Sequence, residues 1–278
     1  MDILKSALVG LFQGLTEFLP VSSSGHIVLL NHYLGVEMKS NVILAAVLHA
    51  GTLLATIIVY RRRIMEMIRF LFLEAPGNIR HHGWKKGFWG NPDGRLISLI
   101  VTGTLPTVII GFLFEDLLES LFLNVLAVSM ALLVTGSLLY STRLIPERIR
   151  SSKKAGSTIA LIIGTVQGLA IIPGISRSGS TISVGMWSGM NRRKAGDFSF
   201  LLSIPAITGA LILQLKDISD VPSVDIAPLL AGFFVSLGVG WFALTLLLKF
   251  IRQGRFHIFS WYCWCLGIVS LILYIAGI

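Results

Sequence analysis

The chain has 278 residues, of which 54% are hydrophobic and only 13% are charged, and its mean hydropathy is +0.80. A soluble domain carries roughly 25% charged residues, so these values exclude an ordinary soluble protein and predict an integral membrane protein. The net charge of +9 does not indicate a nucleic-acid partner, because the positive residues lie in short connections between apolar segments, where membrane orientation accounts for them.

Two apolar stretches, 3–30 and 158–188, are interrupted by Pro, Gly and Ser. Pro20 and Pro173 each remove a helical hydrogen bond, and the Ser and Gly residues that follow favour turns. Each stretch is therefore predicted to form a helix, a break and a second helix. At membrane depth such a break is tolerated where protein or a polar cavity surrounds it, which makes each stretch a candidate re-entrant hairpin.

Six further segments have the roughly 20 apolar residues that a membrane-spanning helix needs. In chain order they are 43–60, 97–114, 122–141, 198–215, 227–248 and 258–277. Together with the two hairpins, they predict an all-α polytopic membrane protein that forms a single domain over residues 1–278.

The charged residues predict how these segments are oriented. Four connections hold 19 of the 23 Lys and Arg residues: 61–95, 142–154, 189–197 and 249–255. The positive-inside rule makes these four connections cytoplasmic. The other two are net acidic, with the acidic residues Glu115, Asp116, Glu119, Asp217, Asp220 and Asp225. Three spans then separate the hairpins, so the hairpins enter the membrane from opposite sides.

The two hairpins also resemble each other in sequence. Residues 10–25, GLFQGLTEFLPVSSSG, align without gaps with residues 164–179, GTVQGLAIIPGISRSG, and seven of the sixteen positions are identical. We interpret the chain as two inverted-topology repeats, over approximately 1–141 and 158–278. Inverted repeats with broken helices place a substrate site where the two breaks meet, near the middle of the membrane.

Polar side chains, which are costly to leave unpaired away from water, concentrate at both breaks. The candidate site residues are Gln13, Glu17, Ser22, Ser23, Ser24 and His26 at the first break, and Ser176, Arg177, Ser178 and Thr181 at the second. Gln13 and Glu17 are four residues apart, on one helical face. Their oxygens are therefore expected to point at one place, which suits a divalent cation.

Arg177 predicts an anion site. A guanidinium inside an apolar hairpin costs several kcal/mol unless an anion accompanies it, and its planar fork matches a phosphate. The neighbouring hydroxyls and the free N–H groups of the second helix, predicted to begin at Ser178 or Gly179, would complete such a site. The alternative is a structural ion pair between Arg177 and Glu17, which could coexist with a site.

His26 is a candidate nucleophile or general acid–base, strengthened by the carboxylate of Glu17. Ser23, activated by His26, is the rival nucleophile, and spacing alone does not separate the two. A further histidine, His49, lies in an apolar span. We interpret it as a packed residue that bonds a neighbouring helix, with an approach to the site as the alternative.

With these residues placed, the sequence resembles the undecaprenyl-diphosphate phosphatase family, also called bacitracin-resistance proteins. The resemblance rests on QGLTEFLPVSSSGH at 13–26 and PGISRSGST at 173–181, with LHAGTLLA at 48–55 and FSFLLSIPAITGA at 198–210 as further similar segments. Many members have glutamate where this chain has Gln13, a difference that keeps an oxygen but loses a charge at the expected cation site.

The resemblance implies a multi-pass enzyme of the bacterial inner membrane, with its site facing the outer side. It implies hydrolysis of undecaprenyl diphosphate to undecaprenyl phosphate and inorganic phosphate, which recycles the lipid carrier for peptidoglycan synthesis and confers bacitracin resistance. It also implies a divalent cation, Mg²⁺ or Ca²⁺. The residues that match the family's site are Glu17, Ser23, His26, Ser176, Arg177 and Thr181.

Two alternatives follow from other features. Inverted repeats with breaks at mid-membrane suit alternating access, so the alternative function is a flippase or transporter for a polyprenyl phosphate. The residues Gly185 and Gly189 form a GxxxG pattern, which we interpret as internal packing, with a homodimer as the alternative. Membrane lipids and undecaprenyl diphosphate are the expected partners.

Overall fold

The regular structure is helical throughout the residues that the computed structural model describes, which are 2–34, 42–114, 121, 124–145, 156–216 and 225–277. The α-helices are α1 (Ile3–Phe18), α2 (Ser23–Leu34), α3 (Val42–Arg69), α4 (Ala75–Gly87), α5 (Pro92–Leu113), α6 (Val125–Ser141), α7 (Ser157–Leu169), α8 (Arg177–Trp187), α9 (Arg192–Lys216), α10 (Ile226–Arg252) and α11 (Phe259–Ile275). The predicted all-α fold class is confirmed.

Within the described ranges, six helical stretches are long and apolar enough to cross a membrane. They are Ile43–Gly87, Pro92–Leu113, Val125–Leu144, Arg192–Gln214, Ile226–Arg252 and Phe256–Ile275. Each of them overlaps one of the six spans predicted from the sequence. The chain is therefore a multi-pass membrane protein.

The first span is longer than predicted. It was expected to end at residue 60, but α3 continues to Arg69 and, through the π-helical turn Phe70–Glu74, into α4. Arg, Met and Glu are good helix formers, so a charged sequence with no Gly or Pro gives the helix no reason to end at the membrane surface. Much of the basic connection 61–95 is thus helix rather than loop.

Both interrupted stretches form two helices, as predicted. Between α1 and α2 lies Pro20, and between α7 and α8 lie Pro173 and Gly174. Gly174 has a φ of +94°, a left-handed conformation that glycine adopts without strain. The helices α2, α7 and α8 have 12, 13 and 11 residues, so each is only about 17–20 Å long, shorter than the roughly 30 Å hydrocarbon core of a bilayer.

The first helix of each pair packs closely against a long helix of the other half of the chain. α1 packs along α10, and α7 packs along α5. A Cβ atom on Gly10 would lie 2.6 Å from the carbonyl oxygen of Gly232, and one on Gly164 would lie 1.8 Å from that of Gly103. Only glycine permits so close an approach of two helices. Gly10 and Gly164 are aligned positions of the two hairpin sequences.

The apolar core lies beneath the two breaks and includes side chains that are at most 1% exposed, among them Phe18, Ile182, Phe200 and Leu244. A Cβ atom on Gly185 would lie 3.2 Å from the Cβ atom of Ala195. Gly185 therefore packs inside the chain. Gly189 lies beyond the end of α8 and has a φ of +93°, so the two glycines do not form a GxxxG pattern within one helix.

Much of the charge pattern that predicts the orientation of the chain lies outside the described residues. This applies to Glu115, Asp116, Glu119, Asp217 and Asp220, and to the part of the basic connection at 146–154. The assignment of the basic side to the cytoplasm stays a prediction.

Candidate active site

The two breaks touch each other through reciprocal hydrogen bonds. The N–H of Gly174 donates to Ser22 Oγ at 3.0 Å, and Ser178 Oγ donates to the carbonyl oxygen of Phe18 at 2.9 Å. A Cβ atom on Gly25 would lie 2.9 Å from the Cα atom of Gly174. The backbones of the two breaks are therefore in contact, and their side chains share one region.

Ser22 holds the first break in an unusual conformation. Its φ is +65°, the only positive φ among the described residues other than glycine. Residues with a Cβ atom rarely adopt this conformation, and they keep it where the surroundings fix it. Here Ser22 Oγ accepts hydrogen bonds from the N–H groups of Gly25, at 3.3 Å, and of Gly174. The turn that presents Ser23 is thus fixed by both breaks.

Glu17 is the centre of the polar cluster. One carboxylate oxygen, Oε1, is paired with Nη2 of Arg177. The other, Oε2, accepts hydrogen bonds from Gln13 Nε2 at 3.0 Å and from Ser23 Oγ at 3.3 Å. Nε2 of His49 lies 3.9 Å from the same oxygen. The ion pair between Arg177 and Glu17, which the sequence left as an alternative, is present.

Arg177 is the first residue of α8, so the helix begins one or two residues earlier than predicted. Ser176 caps this helix, because its Oγ accepts a hydrogen bond from the N–H of Gly179 at 3.1 Å. Helix geometry leaves the N–H groups of Arg177 and Ser178 without an intrahelical acceptor. An N-terminus of this kind, together with a guanidinium, favours a bound anion.

A cavity of about 270 Å³ opens beside this cluster. The predicted site residues on its wall are Glu17, Ser22, Ser23, Ser24, Ser176 and Arg177. Apolar residues of the second break and of α9 complete the wall, and they include Ala170, Ile171, Ile175, Ile207 and Leu211. A polar end and an apolar wall in one cavity suit an amphiphilic anion.

His26 does not reach this cavity wall. Its Nδ1 lies 2.8 Å from the carbonyl oxygen of Ser22, and its Nε2 lies 2.7 Å from the hydroxyl of Tyr262. A carbonyl oxygen only accepts, so Nδ1 carries the proton and, in the neutral ring, Nε2 accepts from the tyrosine. The ring also stacks on Tyr262, with the centroids 5.6 Å apart. Both nitrogens of His26 therefore have partners other than Ser23 or Glu17.

Two predicted site residues at the second break bond the protein itself. Thr181 Oγ1 donates to the carbonyl oxygen of Arg177 at 2.7 Å and lies 2.6 Å from Ser199 Oγ. Ser178 Oγ donates to the carbonyl oxygen of Phe18, as described above. These hydroxyls hold α8 in place and contribute to the site through its backbone.

A family model described as Bacitracin resistance protein BacA matches residues 6–269. The chain belongs to this family. It is 41% identical over 273 residues to the undecaprenyl-diphosphatase of Desulfatibacillum aliphaticivorans, covering 98% of this chain and 99% of that protein. It is 40% identical over 274 residues to that of Methanobrevibacter smithii (97% and 96% covered) and 39% identical over 282 residues to that of Carboxydothermus hydrogenoformans (100% and 99%).

The oxygen donors at the site differ from those predicted to bind a divalent cation. Gln13 turns its amide nitrogen, not its oxygen, toward Glu17. Across the described ranges, no three His, Cys, Asp or Glu side chains lie close enough to hold a metal ion. Two glutamines, Gln167 and Gln214, line the cavity, and the amide oxygen Oε1 of each is buried without a hydrogen-bond partner in the described part of the chain.

These donors suit a cation that is shared with the substrate. Mg²⁺ is commonly held by one or two carboxylates together with substrate phosphates, and both Mg²⁺ and Ca²⁺ take oxygen ligands. Glu17 supplies one carboxylate to the cavity, and Gln167 and Gln214 supply neutral oxygens. The residues therefore fit a cation bound mainly by a diphosphate.

The structure places His49 at the site, which was the alternative to the preferred interpretation. Its Nδ1 lies 2.9 Å from the carbonyl oxygen of Ala45, on its own helix, and not on a neighbouring helix as predicted. The opposite edge of the ring faces Glu17, and His49 lines the cavity. The spacing from Ala45 is that of an ordinary helical turn, so the only signal in the sequence was a histidine within an apolar span.

Proposed function

We propose that this protein hydrolyses undecaprenyl diphosphate to undecaprenyl phosphate and inorganic phosphate, which recycles the lipid carrier for peptidoglycan synthesis and confers resistance to bacitracin. Relatives of nearly the same length carry the name undecaprenyl-diphosphatase. The structural observation that carries the proposal is that Ser23 and Arg177 contact opposite oxygens of Glu17 on the wall of one cavity.

The terminal phosphate binds at Arg177. Glu17 engages Nη2 of the guanidinium, and the planar fork has further N–H donors, which suit phosphate oxygens. The N–H groups of Arg177 and Ser178 at the start of α8 add a positive helix end. The isoprenoid chain then follows the apolar part of the cavity wall, past Ile171 and Ile207.

Ser23 is the nucleophile in this proposal. Its Oγ attacks the terminal phosphorus, and its proton passes to Glu17 Oε2, to which it already donates a hydrogen bond at 3.3 Å. The bond between that phosphorus and the bridging oxygen breaks, and undecaprenyl phosphate leaves. Water then cleaves the phosphoserine, and Glu17 returns the proton to Ser23 as inorganic phosphate is released. Arg177 stabilises the negative charge on the transferred group.

His26 has a positioning role. It links the carbonyl oxygen of Ser22 to the hydroxyl of Tyr262, and so it ties the turn before Ser23 to α11. To act as a nucleophile, Nε2 of His26 would have to lose its tyrosine partner and turn toward the cavity. This geometry favours Ser23 over His26, the choice that spacing in the sequence left open.

A divalent cation, Mg²⁺ or Ca²⁺, accompanies the diphosphate. We assign Glu17, Gln167 and Gln214 as the side chains that hold it together with phosphate oxygens, because all three residues line the cavity and the amide oxygens of the two glutamines have no hydrogen-bond partner among the described residues. When bound, the cation would offset the charge that the diphosphate brings close to Glu17. Gln13 then acts as a neutral donor that orients Glu17.

The two helix pairs are re-entrant hairpins of inverted repeats in this proposal, and the site faces the outer side of the inner membrane. Two observations support it: α2, α7 and α8 are shorter than a bilayer core, and the aligned residues Gly10 and Gly164 make equivalent close contacts with α10 and α5.

The test is phosphate release from undecaprenyl diphosphate by the purified protein in detergent with Mg²⁺. We expect release from the wild-type protein, its loss after chelation, and its loss in Glu17→Gln, which keeps the shape of the side chain but removes the charge. Glu66→Gln is the matched control, since Glu66 is exposed and pairs with Arg63 far from the cavity. A folded wild-type protein that released no phosphate would refute the proposal and favour a transporter.

A further inference from the structure

A second cavity, of about 590 Å³, lies toward the opposite ends of three helices that line the active site. α3 contributes His49 to the first cavity and Tyr60 to the second, and α5 contributes Thr107 and Leu96. Eleven positions, about 16 Å along a helix, separate the two residues of each pair. The second cavity therefore lies where the basic connections begin, on the side that the positive-inside rule predicts to be cytoplasmic.

The wall of this second cavity is strongly basic. Six cationic side chains line it, and they are Arg62, Arg63, Arg95, Arg193, Lys194 and Arg252. Among the described residues that line it, Asp197 is the one carboxylate. The cavity thus carries a clear excess of positive charge.

Some of these cations already have acidic partners. Arg63 pairs with Glu66 at 2.7 Å and with Asp93 at 2.6 Å, and Arg193 lies 3.7 Å from Asp197. Asp197 also accepts a hydrogen bond from the hydroxyl of Tyr60 at 3.0 Å. The charge that the proposal assigns to a ligand is that of Arg62, Lys194 and Arg252.

Membrane orientation alone explains an excess of basic residues at these helix ends, but it does not explain their convergence. Arg62 belongs to α3, Lys194 to α9 and Arg252 to α10, and Arg95 joins them from α5. Side chains whose only task is orientation have no reason to surround a single cavity from four helices. Like charges brought together in this way repel each other unless an anion lies between them.

The deeper wall of the same cavity is apolar. It includes Leu96, Leu99, Phe198, Leu201 and Leu248, and Trp89 lies nearer the basic residues. A small hydrated anion would gain nothing from contact with an apolar wall. A lipid, in contrast, has both a phosphate and a hydrocarbon chain, and so it can contact both parts of the wall. Basic pockets between membrane helices on the cytoplasmic side commonly hold lipid headgroups.

We propose that this cavity binds the phosphate-bearing headgroup of an anionic membrane lipid, with Arg62, Lys194 and Arg252 at the phosphate and the start of a hydrocarbon chain against Leu99 and Phe198. The bound lipid lies against the three helices that also form the active site. This proposal rests on the second cavity and is independent of the proposed phosphatase reaction.

The test uses the purified full-length protein in an uncharged detergent and counts bound dioleoyl phosphatidate by native mass spectrometry. The cavity variant is Arg62→Gln/Lys194→Gln/Arg252→Gln. The matched control is Arg80→Gln/Lys85→Gln/Lys86→Gln, which removes the same charge from exposed residues of the same predicted side. We expect the tightest phosphatidate site to weaken by about tenfold or more in the cavity variant, and to change by less than about twofold in the control.

Three results would overturn the proposal: equal weakening in both triple variants, since that is general surface attraction; unchanged binding in the cavity variant; and displacement of the lipid by inorganic phosphate at equal concentration, which would make a soluble anion the ligand. Dioleoyl phosphatidylcholine, which carries no net charge, must bind more weakly than phosphatidate. If the triple variant does not fold, Lys194→Glu tests the same contact with one exposed residue, and it must also weaken binding. Because the readout is binding, inactivity of the active site leaves this test unaffected.

Discussion

The two helix breaks carry the same capping device at aligned positions. Ser22 Oγ accepts a hydrogen bond from the N–H of Gly25 at 3.3 Å, and Ser176 Oγ accepts one from the N–H of Gly179 at 3.1 Å. In both cases the serine precedes the first residue of the second helix. The capping hydrogen bond of one break is thus repeated in the other, although the backbones differ, with a φ of +65° at Ser22 and −78° at Ser176. The chemistry depends on the side chains that the two caps present.

The residue directly after the cap differs between the breaks. It is Ser23 in the first and Arg177 in the second, and both bond Glu17, on opposite carboxylate oxygens. The same capping hydrogen bond, present at both breaks, therefore positions the proposed nucleophile on one side of the cavity and a planar cation on the other.

Both breaks contain several hydroxyl side chains, but these hydroxyls have different contacts at the two breaks. At the second break, Ser178 and Thr181 bond carbonyl oxygens of the protein, whereas Ser23 and Ser24 at the first break lie on the cavity wall. The second break is a scaffold that positions one guanidinium and one helix end. The first break carries the reactive groups.

The largest expected effect separates the two candidate nucleophiles of the first break. Ser23→Ala removes the attacking oxygen, so we expect turnover to fall by about a thousandfold or more. His26→Gln removes a ring that bonds Ser22 and Tyr262, so its loss of turnover stays below the roughly hundredfold that removal of a general base causes. Both are measured as phosphate release at saturating undecaprenyl diphosphate.

The assignment fails if the order is reversed, with Ser23→Ala active and His26→Gln inactive although folded. Tyr262→Phe provides an additional check, because it frees Nε2 of His26 without changing the ring. If His26 were the nucleophile, this variant would gain activity.

The next largest effect concerns the residue that follows the second cap. Arg177→Lys keeps the charge but loses the planar fork that serves Glu17 and a phosphate together. We expect turnover to fall by about a hundredfold, measured with the same phosphate-release assay. Arg255→Lys, at an exposed site in the connection before α11, is the matched control and keeps its activity. Near-normal turnover by Arg177→Lys would remove the role assigned to the fork.

The sequence predicts the breaks and the kinds of residue they carry, because Pro and Gly interrupt helices wherever they stand. It also predicts that the two breaks meet, since inverted repeats bring them together, and it offers the ion pair between Glu17 and Arg177 as an alternative. These features depend on local backbone preferences and on a sequence motif that occurs twice in the chain.

The orientation of the His26 side chain, and hence its hydrogen-bond partners, could not be predicted in the same way. Its partner Tyr262 is 236 residues away, and the contact depends on how α2 is rotated relative to α11. The same limit applies to Gln13, whose spacing from Glu17 is compatible with either end of the amide. Helix spacing identifies the face of a helix, but it does not determine which atom of a flexible side chain faces a neighbour.

A smaller effect is expected from Gln13→Glu, which restores a second carboxylate beside Glu17. Two carboxylates hold a divalent cation more tightly than one, so the Mg²⁺ concentration that gives half-maximal phosphate release falls several-fold. The measurement is a Mg²⁺ titration of turnover. Gln253→Glu adds the same charge at an exposed position beyond α10 and leaves the titration unchanged. An unchanged midpoint in Gln13→Glu would place the cation away from this pair.

The smallest expected effect is on stability, and it concerns the two capping serines, Ser22 and Ser176. Ser176→Ala removes one capping hydrogen bond, and we expect the free energy of unfolding to fall by about 1 kcal/mol. Ser22→Ala removes acceptors for two N–H groups, of Gly25 and Gly174, so its cost is about 2 kcal/mol. Unfolding of both variants in mixed detergent micelles, followed by circular dichroism, measures the difference. Equal losses would mean that Ser22 caps only its own helix and that its bond to the second break contributes nothing, so that the close contact between the breaks would rest on glycine packing alone.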